Sequence, residues 1–371
     1  MAVRVIFAGG GTGGHLYPGL AIARALVRER PGIEPFFVGA QRGIEHEVLP
    51  NAEFPYLLLD LHPLHRRSPW KNWRTIATAF RVWREIGRIV SERPPAVVVG
   101  TGGYASGLTL EYARRKHIPM AQQVGDSFPG LTARRYARYC DEIYLTFPEA
   151  ARFLRAGPRT TIVDTGAPID PPTSVALSHA TARAKWGFPR EGGPVLLVYG
   201  GSQGSLAINR AVAAMIRAGL PDDLYVIWGT GRGTYEEFAP LESDRVRVRD
   251  YLAPIADAYA AADLAIARAG SMTTSELLAW KIPAILVPLP TAAAQHQTTN
   301  AATLEHAGAA IHLPQQRLTG PVLHELVAGL VHDRARLARL AEAAAQRARP
   351  RAAEVIAEHL AALIDRGTGP A

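Results

Sequence analysis

The sequence contains a single cysteine, Cys140, among its 371 residues. One cysteine can form neither an internal disulfide nor a cluster of thiolate metal ligands, and this scarcity is typical of a reducing compartment. No stretch reaches the roughly 18 apolar residues that a membrane span needs. The strand-like run Val3–Ala8 opens the chain without a cationic or apolar leader. We therefore expect a cytoplasmic protein that is neither exported nor integral to the membrane.

Motifs that bind catalytic metals are also absent from the sequence. It has no Asp-x-Asp, with which metal-dependent nucleotide-sugar enzymes hold a divalent cation, and no His-Glu-x-x-His, and its 12 histidines are scattered. We therefore expect no metal site and no required cofactor. Loop amides and a helix terminus would then have to stabilise any anionic leaving group.

Basic residues outnumber acidic ones: the sequence has 41 Lys and Arg residues and 33 Asp and Glu residues, and its net charge is +8. This balance indicates an anionic partner: nucleic acid, anionic lipid or a phosphorylated substrate. A nucleic-acid-binding protein usually adds a recognisable module, or a basic stripe interleaved with aromatic residues, and the sequence has neither. We therefore expect no nucleic-acid partner.

Short β-branched or apolar runs alternate with helix-like stretches, which is typical of a parallel sheet flanked by helices. The chain is too long for one ordinary domain, and the proline-rich stretch Gly166–Thr173 is typical of a linker. We predict an α/β protein with two Rossmann-like, doubly wound parallel-sheet domains, residues 1–167 and 168–350, and a C-terminal helix within 351–371 that crosses back onto the first domain. The predicted strands are Val3–Ala8, Pro35–Gly39, Ala96–Gly100, Pro119–Val124, Glu142–Thr146, Thr161–Thr165, Val195–Gly200, Leu224–Trp228, Val246–Val248, Leu264–Ala267, Ala284–Pro288 and Ala310–Leu313.

Three glycine-rich turns follow predicted strands. Gly9–His15 precedes the helical pattern Tyr17–Arg28 and fits the dinucleotide pattern G-x-G-x-x-G. The second strand, however, runs into Gln41 and lacks the acid that would hold a dinucleotide ribose. Similar turns occur at Gly200–Ser205 and Gly100–Gly107, of which the latter alone would also fit a plain tight turn. Because ligands of open α/β sheets bind at the carboxyl ends of the strands, we expect a ligand held across a cleft between the domains.

His15 closes the first turn at the predicted start of a helix. The positive end of the helix dipole disfavours imidazolium, and a neutral ring can accept a proton from a sugar hydroxyl. The alternative is a histidine that caps the helix or binds a phosphate. Its place beside the glycines favours a general base.

Two segments of the second half carry polar side chains suited to a nucleotide-sugar. Arg268–Glu276 follows a strand and leads into a helix, and Glu276 could accept both hydroxyls of a ribose. The alternative is that Thr273 or Ser275 caps the helix and Glu276 completes the cap. Amides of Gln295–Asn300 could bind sugar hydroxyls, although an amide-rich helix start is also ordinary surface.

The stretch Trp70–Val90 combines apolar residues at helical spacing with a neighbouring stripe of arginines. Such a helix can lie on an anionic membrane surface, or it can pack its apolar stripe on the sheet. Trp70 and Trp73, at its entrance, are the better candidates for membrane contact.

Together these segments resemble, nearly end to end, the bacterial peptidoglycan N-acetylglucosaminyltransferases, a family of the two-domain GT-B glycosyltransferases. The segments that carry the resemblance stand in the family's order: Gly9–His15, Gly102–Gly107, Gly130–Thr132, Gly200–Gly204, Tyr251–Leu252, Gly270–Glu276 and Gln297–Asn300.

The resemblance implies inverting transfer of N-acetylglucosamine from UDP-N-acetylglucosamine to the muramoyl 4-hydroxyl of lipid I, giving lipid II. It implies a peripheral protein on the anionic cytoplasmic face of the plasma membrane, with His15 as base. The donor would be bound by Thr12, Gly13, Gly14, Asp126, Ser202, Leu252, Arg268, Ser271, Met272, Thr273, Thr274, Ser275, Glu276, Gln297 and Asn300. The acceptor would be bound by Thr12, Gly13, Gly14, Gly103, Tyr104 and Ser106.

The sequence departs from the family pattern at three places: Gln123–Asp126 replaces His-Glu-Gln-Asn, Asp170 stands where arginine is usual, and Thr291 stands where histidine is common. Three alternatives remain open at this stage. They are another GT-B transferase with a different acceptor, a UDP-sugar epimerase of related fold, and a binding module for nucleotide-sugars without turnover.

Overall fold

The computed structural model describes residues 2–61, 73–172, 177–201 and 203–368, without the side chains of residues 73–77 and 368. Two compact units make up the chain. The first contains residues Met1–Ile169 and Arg351–Ala371, and the second contains Asp170–Pro350. The chain therefore passes between the units twice.

The first unit is built on a seven-stranded sheet in which all neighbouring strands are parallel, in the order β3-β2-β1-β4-β5-β6-β7. Strands of this kind are covered on both faces and read as continuous apolar runs; all five residues of β5, for instance, are buried. The strands are β1 (Val3–Gly9), β2 (Ile33–Ala40), β3 (Tyr56–Leu59), β4 (Val97–Gly102), β5 (Met120–Val124), β6 (Glu142–Leu145) and β7 (Thr161–Asp164).

Helices cover both faces of this sheet, and the last of them comes from the end of the chain. This last helix, α14 (Ala352–Thr368), packs against α1 (Gly13–Glu29). Ile356 and Leu360 of α14 are buried in the same apolar cluster as Leu20 of α1. The carboxylate of Glu142 is buried and contacts His359 of α14 at 2.9 Å. The described helices of this unit are α1 (Gly13–Glu29), α2 (Glu45–Val48), α3 (Trp73–Glu92), α4 (Ser106–Arg115), α5 (Leu131–Tyr136) and α14 (Ala352–Thr368), with 3-10 turns at Leu49–Asn51, Ala137–Tyr139 and Pro148–Phe153.

The second unit repeats this architecture with a six-stranded parallel sheet in the order β10-β9-β8-β11-β12-β13. Its strands are β8 (Val195–Tyr199), β9 (Tyr225–Gly229), β10 (Val246–Arg249), β11 (Leu264–Ala267), β12 (Ala284–Leu286) and β13 (Ile311–His312). Its described helices are α6 (His179–Lys185), α7 (Leu206–Ala218), α8 (Tyr235–Phe238), α9 (Ile255–Ala261), α10 (Ser271–Ala279), α11 (His296–His306), α12 (Gly320–Val331) and α13 (Arg334–Arg347), with 3-10 turns at Ala239–Leu241, Ala293–Gln295 and Gln315–Arg317.

The predicted fold class is confirmed, since each half contains a doubly wound parallel sheet and every predicted strand is present. One strand was missed: β3 is a short edge strand whose first residue, Tyr56, is exposed. One helix starts earlier than predicted, because α1 begins at Gly13 and includes Pro18 in its second turn. His15 thus belongs to the first turn of α1 and does not precede it.

Helix α3 accounts for the stretch predicted to be an amphipathic helix. Val82 and Ile86 face the core and are buried, whereas Phe80 is 70% exposed. Trp83 packs on Tyr112 with ring centroids 4.9 Å apart. Trp70 lies outside the described residues, as does the side chain of Trp73.

Candidate active site

The first glycine-rich turn uses part of its backbone internally. Gly10 and Gly11 have φ of 147° and 90°, which a side chain would strain. The Gly10 amide donates to the Gly102 carbonyl at 3.3 Å, and the Gly11 amide donates to Oε1 of Glu45 at 2.8 Å. These two amides are therefore used within the protein.

Glu45, which was not predicted from the sequence, holds this turn in place through its hydrogen bond with Gly11. It is fully buried, and its Oε1 also accepts the Ala40 amide at 3.1 Å. Its Oε2 has no hydrogen-bond partner among the described atoms. A Cβ added at Gly10 would lie 1.6 Å from Oε1, and one added at Gly43 would lie 2.0 Å from Oε2. In the sequence, the only indication that Glu45 has this role is the nearby glycine Gly43, two positions before it.

The N-terminus of α1 lies one step farther along the chain. Thr12 is the N-cap, but its side chain makes no capping hydrogen bond. The amides of Gly13 and Gly14 have no acceptor inside the helix because they belong to its first turn. A helix N-terminus of this kind favours a phosphate.

The ring of His15 lies against the turn at the end of β4. A Cβ added at Gly102 would be 2.7 Å from His15 Nδ1, and one added at Gly103 would be 2.1 Å from the Gly10 carbonyl oxygen. A Cβ at Gly11 would be 3.0 Å from the ring of Tyr104. The fold therefore brings together His15, Tyr104 and the two turns that the sequence identified separately.

The turn after β4 is held by hydroxyl groups. Ser106 Oγ donates to the Gly103 carbonyl at 3.0 Å, and Thr132 Oγ1 donates to the same oxygen at 3.3 Å. Ser106 is fully buried, so its hydroxyl supports the turn, and its contact with an acceptor stays a prediction. Burial raises the pKa of Tyr104, with a further contribution from the Glu45 carboxylate. Tyr104 is therefore a hydrogen-bond donor at neutral pH.

Asp126, expected to bind the donor, lies in the first unit just after β5. Gln123 belongs to the same segment, Gln123–Asp126, which departs from the family pattern. It is buried, and its Nε2 donates to Thr146 Oγ1 at 3.0 Å. The Oε1 of Gln123 has no partner among the described atoms. The role of Asp126 stays a prediction.

The second unit contains a pocket of about 350 Å³ at the carboxyl ends of β8, β9 and β10. Three of the predicted donor-binding residues line it: Leu252, Thr273 and Glu276. The other lining residues are Tyr199, Gly201, Gly229, Gly231, Asp250, Tyr251, Ala253, Pro254 and Ile255.

Glu276 stands at the wall of this pocket within helix α10. Its Oε2 accepts a hydrogen bond from the Tyr259 hydroxyl at 2.9 Å. Burial raises the pKa of Glu276 to about 7; the hydrogen bond from Tyr259 opposes this rise, and the Asp170 carboxylate adds to it. The capping alternative for Thr273, Ser275 and Glu276 is wrong, because the N-cap of α10 is Gly270 and no side chain caps it.

The turn between β8 and α7 packs against the turn that follows β9. A Cβ at Gly204 would be 2.1 Å from the Thr230 carbonyl oxygen, so only glycine permits this approach. Asn209, which was not predicted from the sequence, is fully buried and holds the turn that follows β9. It donates to the Thr230 carbonyl at 2.8 Å and accepts from Trp228 Nε1 at 3.0 Å. Ser202 lies outside the described residues.

Three predicted donor-binding residues fix the loops around α10 and α11. Arg268 is buried and donates to the carbonyls of Val287 and Pro288 at 3.1 and 3.0 Å. Asn300 donates to the Ala269 carbonyl at 3.2 Å, and the side-chain oxygen of Gln297 accepts the Leu289 amide at 3.0 Å. Their contacts with a sugar stay predictions, as do those of Ser271, Met272, Thr274 and Ser275 in α10.

Across the described residues, no group of three or more His, Cys, Asp or Glu side chains is arranged to hold a metal ion. Within the same part of the chain, no helix is both long and apolar enough to pass through a bilayer.

Comparison with known proteins identifies the family. Residues 5–145 match the model described as "Glycosyltransferase family 28 N-terminal domain", and residues 195–356 match the "Glycosyltransferase family 28 C-terminal domain". The chain is 40% identical over 375 residues, 98% of both chains, to the Salinibacter ruber "UDP-N-acetylglucosamine--N-acetylmuramyl-(pentapeptide) pyrophosphoryl-undecaprenol N-acetylglucosamine transferase". It is 37% identical to the Moorella thermoacetica protein of the same name, covering 98% of this chain and all of that one.

The fold agrees with a solved structure as well. The crystal structure of Acinetobacter baumannii MurG superposes with a TM-score of 0.74 and 26% identity, covering 98% of this chain and 99% of that one. The chain therefore belongs to glycosyltransferase family 28, among the N-acetylmuramyl-(pentapeptide) pyrophosphoryl-undecaprenol N-acetylglucosamine transferases.

Proposed function

We propose that the protein transfers N-acetylglucosamine from UDP-N-acetylglucosamine to the muramoyl 4-hydroxyl of lipid I, with inversion, and so makes lipid II for peptidoglycan. The observation that carries the proposal is the similarity, over almost the whole chain, to transferases of that name. The residues that the reaction needs are grouped in two places, one in each unit.

The UDP-sugar occupies the pocket of the second unit. The Leu252 backbone meets the uracil, Glu276 accepts the ribose hydroxyls, and the turn containing Gly201 and Ser202 receives the diphosphate. The pocket supports this assignment because Leu252, Gly201 and Glu276 all line it. A carboxylate paired with ribose hydroxyls is a common solution for nucleotides in Rossmann-like domains.

The acceptor meets the first unit at the N-terminus of α1. The amides of Gly13 and Gly14 bind its diphosphate, and Tyr104 donates a hydrogen bond to its sugar. In the reaction, the 4-hydroxyl oxygen attacks the anomeric carbon while the bond from that carbon to the diphosphate oxygen breaks. The UDP leaves with the electron pair, and the hydroxyl proton passes to the neutral ring of His15.

Docking on the anionic cytoplasmic face of the plasma membrane gives access to a lipid-linked acceptor. The net charge of +8 favours such a surface. Phe80 on α3 projects into solvent and is flanked by the exposed residues Arg81 and Arg84. An exposed aromatic residue among arginines suits the headgroup region of a membrane.

The decisive experiment is incubation of the protein with labelled UDP-N-acetylglucosamine and a short-chain lipid I analogue, with the products identified by mass. A disaccharide product supports the proposal. Free sugar or an epimer formed without acceptor indicates an epimerase, and tight binding without product indicates a binding module. Transfer to other acceptors in preference to lipid I would refute the acceptor assignment.

His15→Ala tests the proposed base. Loss of a general base lowers turnover by about 10²–10⁴-fold and leaves donor affinity nearly unchanged. His332→Ala, which removes an exposed histidine at the end of α12, is the matched control. Turnover of His15→Ala close to that of the wild type would remove His15 from the mechanism.

A further inference from the structure

A chain of hydroxyl groups runs behind the pocket of the second unit. Tyr199, the last residue of β8, has its hydroxyl 3.0 Å from that of Tyr259, and Tyr259 donates to Glu276 at 2.9 Å. Thr273, Tyr199 and Glu276 line the pocket, whereas Tyr259 is buried behind them in α9.

When Glu276 is ionised, the protons of this chain point in one direction only. Burial raises the pKa of Tyr199 and of Tyr259 far above the neutral range, so both hydroxyls keep their protons. Each hydroxyl has one proton to donate. Because Tyr259 gives its proton to the Glu276 carboxylate, the Tyr199 hydroxyl must donate to Tyr259.

We propose that Tyr259 is a positioning residue that holds the Glu276 carboxylate ionised and directed at the ribose, so that selection of ribonucleotides over deoxyribonucleotides depends on the hydroxyl chain behind the pocket. This inference rests on the proposed function, in which Glu276 binds the ribose. A hydrogen bond to a charged group in a buried site both orients it and favours its charged form.

The environment of Glu276 disfavours its ionised form, so the hydrogen bond from Tyr259 is needed to keep it charged. Burial and the Asp170 carboxylate raise the pKa of Glu276 to about 7, against the hydrogen bond from Tyr259. Asp250 and Tyr251 also line the pocket that Glu276 faces, and an Asp250 carboxylate adds negative charge there. Without the Tyr259 hydroxyl, the pKa of Glu276 would rise further, and a protonated carboxyl group accepts fewer hydrogen bonds from a ribose.

The test compares the dissociation constants of UDP and dUDP, measured by calorimetry at about pH 6, 7 and 8.5. The two nucleotides share the same titrating phosphate, so its ionisation cancels in their ratio. The ratio therefore reports the contact between Glu276 and the ribose 2′-hydroxyl. For the wild type we expect dUDP to bind about 10- to 100-fold more weakly at the highest pH. This discrimination should fall as pH drops through the pKa of Glu276.

Tyr259→Phe should move the midpoint of this pH dependence upward by about one to two units, because it removes a hydrogen bond to a charged group. Its discrimination at neutral pH should be largely lost and should recover as pH rises. Tyr199→Phe should shift the midpoint in the same direction by a smaller amount. It also tests the inference if Tyr259→Phe does not fold. Tyr225→Phe is the matched control, since that ring packs on Phe188 with centroids 4.9 Å apart.

The outcomes separate this inference from the proposed function. An unchanged midpoint in Tyr259→Phe overturns the inference, and so does an equal loss of discrimination at every pH, which would mean that Tyr259 only packs. A wild-type protein that binds neither nucleotide would refute the proposed function itself. If the wild type binds UDP and the profile of Tyr259→Phe is unaltered, the inference alone fails.

Discussion

Removal of the Glu45 carboxylate should loosen the first glycine-rich turn. Glu45→Ala leaves two amides without their acceptor, that of Ala40, which is buried, and that of Gly11, which is partly buried. Each unpaired donor costs about 1–3 kcal/mol, so the loss of the shared acceptor should lower the local opening free energy by about 2–6 kcal/mol. Since 1.36 kcal/mol corresponds to a factor of ten, exchange of the Gly11 amide should accelerate by about 30-fold or more.

Hydrogen exchange read by mass spectrometry measures this effect peptide by peptide. Peptides that cover β1 and the start of α1 should lose protection, whereas those that cover β8 in the second unit should not change. Glu47→Ala is the matched control, because Glu47 lies on the same short helix and is exposed. Unchanged protection of the Gly11 amide in Glu45→Ala would refute the anchoring role of the carboxylate.

A double-mutant cycle with Gly10 sharpens this prediction. Gly10→Ala puts a Cβ 1.6 Å from Glu45 Oε1 and should be strongly destabilising in the wild-type background. In the Glu45→Ala background that clash is gone, and the strain of the positive φ, of about 1 kcal/mol or more, remains. The double variant should therefore be more stable than the sum of the single changes predicts. Additive costs would contradict the contact.

Three further predictions concern single positions. Gly102→Ala should lower turnover and leave UDP binding unchanged in calorimetry, because its Cβ would press on His15 Nδ1; normal turnover would contradict the contact. Ser205→Ala should lower the free energy of unfolding by about 1 kcal/mol in urea titrations, since Ser205 caps α7 by accepting the Ile208 amide; an unchanged urea midpoint would count against the cap. Burial raises the pKa of the Cys140 thiol to about 12, so a thiol reagent should label it at neutral pH only after unfolding, and rapid labelling of the native protein would refute its burial.

The sequence predicted the strands well because each buried parallel strand is a continuous apolar run that ends at a turn signal. In β8 and β11 every residue is buried, so the apolar run alone predicts the whole strand. The edge strand β3 lacks this pattern because only Leu59 of its four residues is buried. Its place in the sheet depends on pairing with β2, which local sequence does not encode.

Residues that line the pocket were predicted where they belong to contiguous motifs, whereas the residues that hold them were missed where distant parts of the chain meet. Leu252 and Glu276 stand in recognisable segments, and both line the pocket. Glu45 contacts Gly11 across 34 positions, and Tyr259 contacts Glu276 across 17. A buried side chain that holds another group in place has no local signature, since its role is defined by tertiary contacts.

Because helix α14 completes the apolar cluster around α1, the first unit is assembled from both ends of the chain. During synthesis, residues Ala352–Thr368 emerge only after all of the second unit, Asp170–Pro350, has been made. Until then the buried face of α1 has no cover from Ile356 and Leu360, and the Glu142 carboxylate has no contact with His359. The second unit is one uninterrupted segment and can close its core first. The order of folding on the ribosome is therefore expected to run opposite to the order of the chain, with the second unit completed before the first.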